Sequence, residues 1–127
     1  MLVSGRGTNL QALIDRVHRR EGIEIVAVAS NRADAQGLER ARRAGIETAV
    51  FSSSSYADRA ARDRALGDWL AQRAVDLVVL AGFMEILSAE FVDRFRWRIV
   101  NVHPALLPAF PGTRAIEQAL EYGVKVT

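Results

Sequence analysis

Asn101 and His103 lie two residues apart in Asn101-Val102-His103-Pro104-Ala105-Leu106-Leu107-Pro108, directly after the apolar pair Ile99-Val100. A strand that persists to His103 would point both side chains to one face. Asn supplies a neutral hydrogen-bond donor, and His can carry a proton near neutral pH. Pro104 pushes His103 out of the helical region and helps fix its backbone. Such a pair suits a reaction in which negative charge builds on a carbonyl oxygen. The same residues also read as a strand end with a polar pair and a Pro-rich turn, and two residues alone do not make a mechanism.

Two other stretches carry unusual residues. Ser4-Gly5-Arg6-Gly7-Thr8-Asn9 follows the apolar Met1-Leu2-Val3 and precedes a helical pattern of Leu10, Leu13, Ile14 and Val17. Glycines permit a tight turn, and the amides at a helix start attract anions. Thr8 and Asn9 are candidate caps whose side chains could reach a phosphate. The loop is neither a Walker loop nor a full dinucleotide fingerprint, so an ordinary strand-to-helix turn stays open beside anion binding. Ala81-Gly82-Phe83-Met84-Glu85-Ile86-Leu87 leaves the Val-rich segment Asp76–Ala81. Its apolar side chains could line a flat pocket or simply fill a core.

The elements that must position these stretches alternate. Residues 23–29, 46–51, 76–81 and 99–103 read as strands, with the tail of one at 1–3 and another begun at 124–127. Helices are predicted from about Leu10 to Val17 and Ala35 to Ala44, then from Ser55 to Ala74, Ser88 to Phe95 and Thr113 to Tyr122. Asp34, Ser55, Ser88 and Thr113 are the expected caps, and Gly45 and Gly123 the expected stops. Arg59, Arg62, Asp63 and Arg64 read most simply as surface charge. Cations near a helix start do not favour its dipole, which leaves another role open for one of them. Strand–helix alternation predicts an α/β fold, a doubly wound, mostly parallel sheet with right-handed crossovers. In such a sheet the three unusual stretches follow strand carboxyl ends and meet at one edge.

Length and composition narrow the function classes. The 127 residues fit one domain, and a 50% apolar fraction is enough for a core. Net charge is only +2, without a long basic stripe, which argues against a nucleic-acid partner. There is no cysteine, and His18 and His103 are far apart, so no metal motif is visible. No apolar run is long enough to span a membrane, and no signal peptide precedes the first motif. A cytoplasmic protein is expected.

With these residues in hand, the chain resembles the folate-dependent glycinamide ribonucleotide formyltransferases of purine biosynthesis. The resemblance rests on Ser4–Gln11, Ala81–Met84, Asn101–Pro108 and Phe110-Pro111-Gly112, and on Asn31–Ala35 and Gly37–Ala41. Asn-x-His-Pro-x-Leu-Leu-Pro marks the wider formyltransferase group, and the Ser-Gly-x-Gly-Thr-Asn-Leu-Gln loop narrows it. The resemblance implies a Rossmann-like formyltransferase fold and formyl transfer from 10-formyltetrahydrofolate to the amine of glycinamide ribonucleotide, with no metal. It implies that Asn101 and His103 stabilise the oxyanion and that His103 shuttles a proton. Gly7, Thr8 and Asn9 would hold the substrate phosphate. Arg59, Met84, Glu85, Ile86, Leu87 and Asn101 would form the folate site, and Leu107–Pro108 would be a cis peptide. The expected partners are these small molecules, without nucleic acid or membrane, on a monomer or homodimer.

Two departures stand out. Glu85 occupies a position where the family usually has a basic residue. The family's sheet also continues past Thr127 to an aspartate that bonds the catalytic histidine. The resemblance therefore reads residues 1–127 as a single formyltransferase domain, its amino-terminal, nucleotide-binding portion, truncated at the carboxyl side. Formyltetrahydrofolate deformylase or a sister transfer activity remains open, as does a catalytically deficient nucleotide-binding fragment.

Overall fold

The computed structural model describes residues 1–127. Five strands, β1 (Leu2–Val3), β2 (Ala27–Ser30), β3 (Glu47–Val50), β4 (Val78–Leu80) and β5 (Ile99–Asn101), alternate with five helices. The helices are α1 (Thr8–Arg16), α2 (Gln36–Arg43), α3 (Arg59–Ala71), α4 (Ala89–Arg94) and α5 (Ala115–Tyr122). A short 3₁₀ turn, Ser53–Ser55, lies between β3 and α3. Every strand pairing is parallel, and the sheet order is β3-β2-β1-β4-β5. This is the expected α/β architecture.

Strand alternation divides the core in two, because successive side chains point to opposite faces. Val3 and Val28 join Leu10, Leu38 and Ala41 in one cluster, under α1 and α2. Leu2, Ala29 and Val78 join Leu66, Leu70, Phe91 and Phe95 in the other, under α3 and α4. Helices thus cover both faces, as a buried parallel sheet requires.

Several expected boundaries shift. β2 starts at Ala27, not Ile23. Residues 19–23 form a tight turn with positive φ at Arg19, Glu21 and Gly22, and the Ile25 amide goes to His18 Nδ1 at 3.1 Å. With that donor spent on a side chain, the ladder begins only at Ala27, opposite Glu47. β5 ends at Asn101, opposite Leu80, the last residue of β4, so His103 lies beyond the strand. Residues 124–127 form no strand, and the Thr127 hydroxyl instead accepts the Leu106 amide at 3.0 Å.

Caps shift as well. Asp58, not Ser55, caps α3 by accepting the Ala61 amide at 2.7 Å. Asp34 pairs with Arg32 instead of capping α2, whose N-cap is Ala35. Arg114, not Thr113, precedes α5, with no side-chain cap. Gly7, rather than Thr8 or Asn9, is the N-cap of α1. Ser88 does cap α4, accepting from Phe91 at 3.2 Å, and Gly45 and Gly123 follow their helices with left-handed φ.

Candidate active site

Strand order reverses between β1 and β4, and such a switch point opens a crevice at the strand carboxyl ends. Ser4 leaves β1 there and Gly82 leaves β4, and the Ser4 amide donates to the Gly82 carbonyl at 3.0 Å. The Ser4 hydroxyl accepts the Met84 amide at 2.8 Å. The loops after β1 and β4 are therefore fastened to each other at the crevice.

A cavity of about 370 Å³ opens between the loop after β4 and the chain after β5. Met84, Glu85, Ile86 and Leu87 form one wall, and Asn101 and His103 form part of the other. The residues with candidate chemistry and the apolar stretch thus share one space, although β5 stops before His103. Phe83 and Leu87 also pack on the second core cluster, whereas Met84 and Ile86 are exposed. The apolar run is both core and pocket wall.

His103 is held by its ring. Its Nε2 lies 2.8 Å from the Phe110 carbonyl oxygen, a contact in which only a protonated Nε2 donates. Nδ1 is then the nitrogen without a protein partner. Phe110 is itself fixed. Its ring meets Tyr122 of α5 edge-on, with centroids 5.8 Å apart, and Gln118 donates to the Pro111 carbonyl at 3.0 Å. The turn between contains a cis Leu107–Pro108 peptide. Sequence reasoning missed the Phe110 carbonyl, because a backbone acceptor leaves no signature in residue type.

The Gly-rich loop lies outside this cavity. Ser4, Gly5 and Arg6 border a smaller recess of about 200 Å³ with Arg32, Asp34 and Gln36. Gly7, Thr8 and Asn9 lie at the α1 N-terminus, where no side chain caps the first-turn amides. Gly7 has a φ of +68°, and a Cβ there would come within 2.6 Å of the Gly37 Cα. Gly7 is therefore required by backbone packing of α1 on α2, whatever else it does. Arg59, the first residue of α3, is exposed and outside the cavity.

Arg62 and Asp63 are not surface charge: each is only 1% exposed. Arg62 donates through Nε and Nη2 to Asp63 Oδ1 at 2.9 and 2.7 Å, and Nη1 bonds Glu85 Oε2. Asp63 Oδ2 accepts the Ser88 amide at 2.6 Å. Glu85 also accepts from Asn31 Nδ2 at 2.9 Å and from the Ser53 hydroxyl at 2.9 Å. Burial pushes the Glu85 carboxyl up, but the bonds from Asn31, Arg62 and Ser53 outweigh it and hold the group below the usual carboxylate range. Burial likewise pulls Arg62 down, while Asp63 and Glu85 hold its charge in place. The departure at Glu85 thus leaves no unpaired acid in the wall. The signal for this network was the cation excess at a helix start, which singled out no one arginine.

No three His, Cys, Asp or Glu side chains converge as a metal cage would need, and no helix is long and apolar enough to cross a membrane.

A family model described as formyl transferase matches residues 1–127. The chain is 50% identical over 125 residues to phosphoribosylglycinamide formyltransferase of Escherichia coli, covering 97% of this chain and 58% of that protein. It is 47% identical over 128 residues to the human trifunctional purine biosynthetic protein adenosine-3, covering 100% of this chain and 13% of that protein. Among solved structures, glycinamide ribonucleotide transformylase 1 from Symbiobacterium toebii matches with a TM-score of 0.89 and 50% identity, over 98% of this chain and 59% of that one. Phosphoribosylglycinamide formyltransferase from Bacillus halodurans matches with a TM-score of 0.91 and 34% identity, over 98% and 64%. The chain spans about 58% of the length of the bacterial relative it matches.

Proposed function

The chain belongs to the formyl transferase family, and from that premise we propose that it serves formyl transfer from 10-formyltetrahydrofolate to the amine of glycinamide ribonucleotide in purine biosynthesis. The observation that carries this reading is the shared cavity: Asn101 and His103 face a largely apolar wall of Met84 to Leu87 across about 370 Å³. A flat pterin suits such a wall, with orientation left to backbone groups. Residues 1–127 act as the nucleotide-binding portion of one formyltransferase domain.

The chemistry follows from the site. The substrate amine attacks the formyl carbon, and the carbonyl electron pair moves onto oxygen. Asn101 donates a hydrogen bond to that oxyanion, and a protonated His103 supplies a second donor. Because Nε2 is engaged with Phe110, Nδ1 is the nitrogen left to act in this reading. The intermediate collapses by breaking the bond from the formyl carbon to N10 of the folate. His103 gives its Nδ1 proton to that nitrogen as the bond breaks and then takes the proton released by the amine. Glycinamide ribonucleotide's phosphate would rest on the uncapped amides of α1 at Gly7, Thr8 and Asn9, and Arg59 would meet the folate's anionic tail. No metal enters these steps.

His103→Ala tests the reading. Formyl transfer should fall by at least about 100-fold, while calorimetry should show nucleotide affinity within about twofold of the parent. Transfer persisting at the parent rate would overturn the mechanism. Hydrolysis of 10-formyltetrahydrofolate without the nucleotide would assign a deformylase instead.

A further inference from the structure

Glu85 is the point at which three loops and α3 meet. Its Oε1 takes the Asn31 amide from the loop after β2. Its Oε2 takes Arg62 from α3, and both oxygens lie within reach of the Ser53 hydroxyl after β3. Ser53 in turn accepts Arg62 Nη1 at 3.0 Å. Asn31 is oriented from its other end, because its Oδ1 accepts the Ser4 hydroxyl at 2.6 Å. That same hydroxyl holds the Met84 amide. A closed ring therefore runs from Met84 through Ser4 and Asn31 to Glu85 and back along the chain. Arg62 continues it through Asp63 to the Ser88 amide. The segment 84–88 is gripped at its first residue, its second and its last, and the stretch between them lines the cavity.

We infer that Arg62 and Glu85 are positioning residues that set the height and angle of the folate-facing wall. Neither needs to touch the folate to do this. The inference rests on the proposed formyl-transfer reading for the ligand's identity, and on the hydrogen-bond ring alone for the wall. Its energetic logic is that a buried polar network is worth most when every member is satisfied. Here a guanidinium is shared between two carboxylates, and a buried charge left alone would be expensive. Removing Arg62 would strand Asp63 in the core, so the informative substitutions fall on the partly exposed Glu85, which leaves Arg62 paired with Asp63. Glu85→Ala removes the junction of the ring. Glu85→Gln keeps its shape and one acceptor oxygen but removes the charge.

The test measures two things on the protein and both variants. Hydrogen exchange reads the Met84 and Ser88 amides against those of β2. Calorimetric titration reads 5-formyltetrahydrofolate and glycinamide ribonucleotide separately. For Glu85→Ala, exchange at Met84 and Ser88 should quicken, folate affinity should drop about tenfold, and nucleotide affinity should stay within about twofold. Glu85→Gln should fall between this variant and the parent. A general loss of stability would weaken both ligands alike, and that result would overturn the inference. So would unchanged exchange at the two amides, or folate affinity that stays constant while they loosen. If the parent binds neither ligand and the amides still loosen in Glu85→Ala, the control of the wall stands and the formyl-transfer reading fails.

Discussion

The two edges of the sheet are built on opposite plans. At the β3 edge, Glu47 is exposed but spoken for: Arg73 bonds it with Nη2 and, at 2.9 Å, with Nε. The Arg73 guanidinium also lies 4.0 Å above the Trp69 ring. A paired charge on an edge strand discourages further strand addition. At the β5 edge there is no such guard. Val100 and Val102 are 50% and 53% exposed, and α5 buries only Ala115 and Ala119 while Ile116 and Leu120 face solvent. The inner strand β2, by contrast, is buried at all four residues. On the β2–β3 flank, Leu38, Ala41, Ile46 and Phe51 are buried. On the β5 flank, order comes from specific bonds such as His103 to Phe110 and Phe110 to Tyr122. The chemistry of the proposed site thus sits on the less covered side, and its supporting wall is anchored on the better packed one.

Core truncation is the harshest way to break this contrast. Leu38 is fully buried in the first cluster, so Leu38→Ala should destabilise by about 3 kcal/mol. Leu120→Ala, at 72% exposure, should cost less than about 0.5 kcal/mol. Urea denaturation midpoints compare them, and equal losses would show that α5 is packed as firmly as α2. Helix starts give a smaller version. Ser88→Ala removes a cap and should cost about 1 kcal/mol, whereas Thr113→Ala, which caps nothing, should leave the midpoint unchanged.

Acid gives the smallest effect. Of the carboxyls held below their ordinary range, Asp34 and Glu47 lie on the β2–β3 flank, and Glu85 is bonded to that flank through Asn31 and Ser53. A group whose folded value is depressed stabilises above its unfolded value and loses that contribution as pH falls through the folded one. For Glu85 the ordinary value is 4.5. The stability gap between the parent and Glu85→Gln should therefore be full at pH 7 and shrink progressively below about pH 4.5. A gap that stays constant down to pH 3 would mean that Glu85 contributes by shape and not by charge.

The fold was legible because its signals are periodic. Val-rich Asp76–Ala81, the helical spacing of Leu10, Leu13 and Ile14, and strand–helix alternation all concern faces that must be buried together. The Asn101–His103 pair was legible as residue types at a fixed spacing, and the loops after β1, β4 and β5 could be assigned to one edge by topology alone. What escaped depends on contacts between distant residues. Asp58 rather than Ser55 capped α3 because the chain first makes a 3₁₀ turn, and polar residues before a helix offer several equivalent choices. The burial of Arg62 depends on Glu85, 23 residues on. The Gly7–Gly37 approach depends on how α1 leans on α2. Neither partner carries a mark that names the other.

β1 has only two ladder residues, yet both halves of the sheet join through it: Leu2 faces Ala29 on one side and Leu80 on the other. The outer pairings are local. Ala27 meets Glu47, and Val78 meets Ile99, so each closes a loop of little more than one βαβ unit. Joining Leu2 to Leu80 closes a loop several times longer, at an extra entropy cost of about 1 kcal/mol. In folding time, then, the flanks can form early and separately, and the central seam is the contact that waits. Ser4 and Gly82 meet at that seam. A chain that has made only its local units therefore lacks the fastening of the loop after β4, whose Met84 amide the Ser4 hydroxyl accepts.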